Sequence, residues 1–124
     1  MTSARSRLGR DGEELVARRL AGAGWRIEAR NWRCAEGEAD IVARDGPCLV
    51  IVEVRTRSGE RMGGPEESIG PRKRAKLAAL ANRYVYEAGW SGPCRVDVVT
   101  VVLRPDGAAP RVRHYRNAVS GEWA

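Results

Sequence analysis

The sequence has few of the residues on which many active sites and extracellular folds depend. Its only histidine is His114, too few for a two-histidine zinc site or a histidine acid–base pair. The three cysteines, Cys34, Cys48 and Cys94, are odd in number and contain no C-x-x-C spacing. This argues against a disulfide framework and against a structural zinc site.

Long apolar runs are also absent from the chain. No segment approaches the ~20 apolar residues that a membrane span needs, and residues 1–7 lack the apolar core of a secretory signal. We therefore expect a cytoplasmic protein with no membrane association. The 124 residues suit one domain, which we place at residues 8–119, between a disordered N-terminus (1–7) and a C-terminal tail (120–124).

Basic residues exceed acidic ones, and the net charge is +6 at pH 7. This excess favours an anionic partner, and nucleic acid is a common one for a small basic domain. A genome with high arginine usage would give the same balance, so the charge gains meaning only together with a site.

Hydrophobic periodicity and turn residues predict seven elements in the order α-β-β-β-α-β-β. Helices are predicted at residues 8–23 and 71–88, the second opened by Pro71 and closed by Gly89. Strands are predicted at residues 25–31, 38–44, 48–55, 95–103 and 111–116, with a loop at 58–70. The order indicates an α/β sandwich with a mixed central sheet.

The second and third predicted strands form a hairpin around Asp45-Gly46-Pro47. This turn places Asp40, which shares a strand face with Glu38 and Val42, within about one residue of the position opposite Glu53. Cross-strand Cβ atoms lie about 5 Å apart, and like charges so placed are destabilising. Either a divalent cation such as Mg²⁺ or a nearby arginine, Arg55, would compensate them. Acids in strands are often simply solvated, but these two adjoin apolar runs, where carboxylates seldom lack a partner.

Asp40 and Glu53 are separated by twelve residues, and the segments Gly37–Ala43 and Glu53-Val54-Arg55 resemble the core motif of the P-D…(D/E)-x-K nuclease superfamily. The closer resemblance is to the YraN-like family of predicted endonucleases, which is similar to archaeal Holliday-junction resolvases. The further motifs that carry it are Gly9, Gly12 and Glu13, Arg30-Asn31, Lys73, Arg95-Val96-Asp97 and Asn117-Ala118. Together they cover about residues 9–118.

The resemblance implies a restriction-endonuclease-like α/β fold and a metal-dependent nuclease. It implies that Asp40 and Glu53 bind Mg²⁺ or Mn²⁺, that the carbonyl of Val54 is a further ligand, and that Glu13 approaches from the first helix. The cation would hold a scissile phosphate and activate a water. Because junction resolvases act as dimers, it also implies a homodimer.

The motif lysine is replaced by Arg55 in this sequence. Arginine stays protonated, so it cannot act as a base, although it can clamp a phosphate. Three interpretations follow: an active site with Arg55 as a phosphate clamp, an active site with a lysine from elsewhere, and a degenerate site that only binds. Lys73 falls at the margin of the buried helix face and is the candidate lysine, unless its amine only reaches to water.

Several further residues carry expectations of their own. The basic residues Arg55, Arg57, Arg72, Lys73 and Lys76 would line a phosphate-binding groove, or would simply be solvated. The second helix should bury Leu77, Leu80, Ala81, Tyr84 and Ala88. Asp97 is expected to pair with Arg95, and His114 to lie on the surface.

The sequence therefore predicts a nucleic-acid-binding protein that resembles a Mg²⁺-dependent DNA endonuclease, acting at branched or damaged structures. The alternative is a nuclease-fold DNA- or RNA-binding module, or a partner subunit, that has lost cleavage because of Arg55.

Overall fold

All seven predicted elements are present, in the predicted order, in a computed structural model that describes residues 4–58, 69–104 and 106–119. The helices are α1 (Ala4–Gly22) and α2 (Pro71–Ala88). The strands are β1 (Arg26–Cys34), β2 (Gly37–Asp45), β3 (Cys48–Ser58), β4 (Cys94–Leu103) and β5 (Arg111–Tyr115). The predicted α/β sandwich with a mixed sheet is confirmed.

The five strands form a single sheet in the order β1-β2-β3-β4-β5. Strands β3 and β4 are parallel, and the other neighbouring pairs are antiparallel. Val50, Ile51 and Val52 of β3 are fully buried, as expected for a central strand covered on both faces. Helix α1 packs on one face of the sheet and α2 on the other.

Helix α2 has the ends that its sequence predicts. Pro71 occupies the first turn, where a missing backbone N–H costs nothing. Gly89 adopts the left-handed conformation with φ 63°, and its N–H donates to the carbonyl of Tyr86 at 3.3 Å. Leu77, Leu80 and Ala81 are buried as predicted, but Ala88 is exposed because it is the last helical residue, next to this turn.

Helix α1 begins at Ala4 and not at residue 8, so residues 4–7, expected to be disordered, are helical. This segment contains no glycine or proline to stop the helix earlier. The predicted disorder of residues 1–3, the loop at 59–68 and the tail at 120–124 lie outside the described residues. Within the described part of the chain, neither helix is long and apolar enough to cross a membrane.

Candidate active site

The turn between β2 and β3 places the two predicted carboxylates at the same level of the sheet. Pairing runs from Asp45–Cys48, beside the Gly46-Pro47 turn, to Ile41–Val52. This pairing ends one step before Asp40 and Glu53, so the two carboxylates lie near each other at the end of the hairpin ladder. The ladder stops at that point, and the backbone N–H of Val54 donates instead to Asp40 Oδ2 at 2.8 Å. The Asp40 carboxylate is therefore fixed by the β3 backbone.

The face that Asp40 presents differs from the prediction. Ala39 and Val42 pack into the same hydrophobic cluster against α2 although they are three positions apart. Because successive side chains of a strand point to opposite faces, the alternation slips by one residue around Asp40. Asn31, on the neighbouring strand β1, has a left-handed backbone with φ 54° at the same level. The predicted common face of Glu38, Asp40 and Val42 is therefore wrong.

Helix α1 brings a third carboxylate to the site. A Cβ atom added at Gly12 would lie only 2.0 Å from Thr56 Oγ1, so the missing side chain lets the helix backbone approach β3 closely. The carboxyl group of the next residue, Glu13, lies close enough to Asp40 for each to influence the pKa of the other. Glu13 thus approaches the hairpin acids as the family resemblance implies.

Asn31 and Glu38 extend this group of acids. With its amide nitrogen facing the two carboxylates, Asn31 donates to Glu13 Oε1 and to Glu38 Oε2, both at 3.1 Å. We did not predict Glu38 as a site residue. Asn31 appeared only as part of the family pattern, although an Asn that tolerates the left-handed region is itself a local signal.

The two candidate cations, Lys73 and Arg55, both lie beside Glu53. Its side chain is only 10% exposed, and Lys73 Nζ lies 3.1 Å from its Oε2 atom. Arg55 Nη1 lies farther away, at 3.9 Å. Lys73, from the first turn of α2, therefore lies beside a hairpin carboxylate as hypothesised.

The site has more carboxylates than nearby cations, and the pKa values of two of these carboxylates are raised. Burial, and next the charge of Glu53, raise the pKa of Asp40 to about 8. Burial and the charge of Glu38 also raise the pKa of Glu13. At neutral pH the Glu13–Asp40 pair therefore retains a proton, which offsets part of the negative charge that the sheet and helices confine here.

The donor set suits a hard cation. Carboxylate and carbonyl oxygens, the donor types of Asp40, Glu53 and the Val54 backbone, are ligands that Mg²⁺ accepts. The residues described in the structure contain no group of three or more Asp, Glu, His or Cys side chains able to hold a metal by themselves.

Two neighbouring polar groups beside Glu53 lack partners among the described residues. Arg55 Nε and Thr100 Oγ1 are both buried without a hydrogen bond. Arg55 and Thr100 pair across β3 and β4, so their side chains lie on the same face of the sheet. Sequence analysis missed Thr100; its signal is a single hydroxyl within the apolar run from Val98 to Val102.

The other predicted residues lie around the site or apart from it. Arg57, Arg72 and Lys76 are exposed. Asp97 is fully buried and accepts from Arg95 Nε at 3.0 Å, as predicted.

The expectation that His114 is a surface residue is wrong. Its side chain is 22% exposed, and Nε2 lies 2.8 Å from Asp97 Oδ2. Its ring also packs against Trp25 at a centroid distance of 5.6 Å. The alternation of side chains along β5 could not reveal that His114 contacts Asp97, because Asp97 lies on β4.

Known proteins similar to this chain span nearly its whole length. The profile of the "Uncharacterised protein family UPF0102" matches residues 12–101. A UPF0102 protein of Pelotomaculum thermopropionicum is 47% identical over 119 residues, covering 95% of this chain and 99% of the relative. A UPF0102 protein of an Arthrobacter species is 51% identical over 115 residues, covering 91% and 96%.

A third relative, from Moorella thermoacetica, is 49% identical over 104 residues, covering 83% of this chain and 87% of that protein. The matched region contains Glu13, Asp40, Glu53 and Lys73. These findings confirm the resemblance found in the motifs, and the chain belongs to the uncharacterised, YraN-like protein family UPF0102.

Proposed function

We propose that this protein is a Mg²⁺-dependent endonuclease that hydrolyses phosphodiester bonds of DNA at branched or damaged structures. The observation that carries the proposal is the approach of Lys73 to Glu53 at 3.1 Å, with Asp40 at the adjacent end of β2. A lysine from α2 would then stand where the motif lysine is missing from β3.

Asp40, Glu53 and the Val54 carbonyl would hold the cation, Mg²⁺ or Mn²⁺. When bound, it would lower the pKa of a coordinated water and stabilise negative charge on the phosphoryl oxygens. The backbone N–H of Val54 keeps Asp40 in place, and Glu13 would adjoin Asp40 from helix α1.

The basic residues would bind the substrate. Lys73 is a compact cation able to orient a water or a phosphate oxygen, and Arg55 would clamp a phosphate with its buried Nε–H. The exposed Arg57, Arg72 and Lys76 would contact flanking phosphates without selecting a base sequence. The net positive charge of the chain would attract such an anionic substrate.

The test is cleavage of labelled branched, single-stranded and duplex DNA by purified protein with Mg²⁺ or Mn²⁺. We expect Asp40→Asn and Glu53→Gln to lower the rate by about 100-fold or more. Glu87→Gln, which alters an exposed acid at the far end of α2, should cleave like the unaltered protein. Equal traces of cleavage in all four preparations would indicate a contaminating nuclease and refute the enzymatic proposal.

One observation favours a second candidate, a nucleic-acid-binding module without cleavage. Lys73 and Arg55 lie beside Glu53, and burial raises the pKa of Asp40 to about 8, so these acids are compensated without any metal. This alternative predicts DNA binding that weakens with salt, no cleavage with either cation, and no change in affinity when Mg²⁺ is added.

A further inference from the structure

The α2 face of the sheet continues from Glu53 into a groove. Glu53 pairs with Val98 across β3 and β4, and Val98 pairs with Tyr115 across β4 and β5. Since neighbouring strands lie about 4.8 Å apart, Tyr115 stands about 10 Å from Glu53 on the same face. The groove therefore begins one strand away from the candidate cation site.

The walls of this groove combine apolar, aromatic and basic groups. It has a volume of about 460 Å³ and is lined by Ile69, Arg74, Val98, His114, Tyr115, Arg116 and Ala118. That volume lies within the range of small-ligand sites. Arg74 is exposed and adds positive charge at the rim, whereas the guanidinium of Arg116 pairs with Asp45 at 3.2 Å and lies over the Trp25 ring.

The partnerless pair Arg55 and Thr100 lies next to the groove. Thr100 is two residues beyond Val98 on β4, about 7 Å along the same strand face, and it is only 8% exposed. Its hydroxyl and the Nε–H of Arg55 are buried donors without acceptors among the described residues. Leaving such donors unpaired is costly, and a phosphate oxygen would satisfy both.

We propose that this groove binds one unpaired nucleotide of the DNA substrate, next to the cleaved bond. The base lies against Tyr115 beside Ile69 and Ala118, its phosphate accepts from Arg55 and Thr100, and Arg74 holds the flanking backbone. A base in a duplex is stacked and paired, so only an unpaired nucleotide can enter the groove. The substrate class is therefore DNA that is single-stranded or branched beside the scissile phosphate.

This inference deepens the proposed nuclease function and rests on it, but its test measures binding alone. Fluorescence anisotropy in EDTA would compare a labelled single strand, a duplex with a single-stranded overhang, and a blunt duplex of equal length. We expect the two DNAs with unpaired nucleotides to bind about tenfold more tightly than the blunt duplex. Equal affinity for all three would overturn the proposal.

Variants then separate the parts of the groove. Tyr115→Ala should weaken overhang binding by about 5- to 160-fold, the range for loss of one base–aromatic stack, whereas Tyr115→Phe should bind normally. Arg74→Ala should weaken binding and lower the salt slope by about 0.7. Arg26→Ala removes the same charge from exposed β1, at the other edge of the sheet, and should have a smaller effect.

Thr100→Val gives the sharpest test because it keeps the shape of a buried side chain. It removes a hydroxyl that has no partner among the described residues, so the variant should fold with at least the stability of the unaltered protein. We expect severalfold weaker binding of the overhang and no change for the blunt duplex. A variant that is stable and binds both DNAs normally would refute the phosphate contact.

The binding experiments test the groove whether or not the protein cleaves DNA. Overhang preference with sensitivity at Tyr115 and Thr100, but without cleavage, would retain the groove and reject the nuclease. Cleavage that depends on Asp40 but is equally fast on blunt and overhanging DNA would retain the nuclease and reject the groove.

Discussion

Replacing Gly12 by alanine tests how closely α1 must approach the sheet. The new Cβ atom would lie 2.0 Å from Thr56 Oγ1 and 3.0 Å from both Cβ and Cγ2 of the same residue. Rotation about χ1 moves Oγ1 and Cγ2, but Thr56 Cβ stays, well inside the ordinary carbon separation of about 3.5–4.0 Å. The helix or the strand must therefore shift.

Gly9 supplies a matched control one turn earlier in α1, because a Cβ atom there would meet nothing within 4 Å. Alanine in a helix is worth about 0.8–1.0 kcal/mol over glycine, and we expect Gly9→Ala to gain much of it. At Gly12 the same gain is opposed by an overpacking cost of about 1–3 kcal/mol. The two variants should therefore differ by about 1–3 kcal/mol in the free energy of unfolding.

Urea unfolding followed by circular dichroism would measure both variants. Thr56→Ala removes Oγ1 and Cγ2, so combined with Gly12→Ala it should recover much of the loss, a coupling of at least about 0.5 kcal/mol. If Gly12→Ala stabilised the protein as much as Gly9→Ala, the close approach that positions Glu13 would be refuted.

Three further predictions concern charged residues. Asp97→Asn should destabilise the protein by about 3–5 kcal/mol at pH 7, because it leaves buried donors beside a neutral group. Burial raises the pKa of Asp97, but hydrogen bonds from His114 and other donors lower it below its ordinary value; its stabilisation is therefore lost as pH falls through the folded pKa. Thermal melts from pH 7 to 2 should fall more steeply for the unaltered protein than for the variant, and parallel curves would contradict this. Asp40→Asn should show the opposite dependence of stability on pH. Because the pKa of Asp40 in the folded protein is about 8, the unaltered protein loses stability as pH rises from about 4 towards 8. In EDTA the variant should therefore gain relative stability between pH 5 and pH 8, and a constant difference in urea unfolding would reject the raised pKa. Lys73→Met leaves a nearly buried carboxylate on Glu53 without its nearest cation and should cost about 1 kcal/mol, since the lysine is partly exposed. Lys76→Met, at an exposed site, should change stability by less than about 0.5 kcal/mol, and an equal loss in both variants would remove the ion pair from consideration.

The hairpin and its carboxylates could be predicted because local signals fix them. A Gly-Pro turn sets the register of two strands, and the apolar run of β3 marks it as central. These two signals place Asp40 close to Glu53. Helical periodicity counted from Pro71 placed Lys73 at the margin of the buried face of α2. The structure places its amine beside Glu53.

The missed features depend on contacts between distant parts of the chain. The slip in side-chain alternation at Asp40 accompanies the left-handed backbone of Asn31 on another strand. Period-two counting within β2 cannot detect it. Thr100 gains its interest only because it pairs with Arg55 in the parallel β3–β4 ladder. His114 likewise appeared exposed until β5 placed it beside Asp97.

The order of the strands leaves β1 and β5 at the two edges of the sheet. Exposed arginines occupy both edges, at Arg26, Arg30 and Arg33 on β1 and at Arg111 and Arg113 on β5. Charged side chains on edge strands discourage pairing with another sheet. Two copies meeting edge to edge would set arginine against arginine, so a homodimer of the kind that the family resemblance implies should not form by extending the sheet. The same charges would oppose fibril-like growth of this protein during folding.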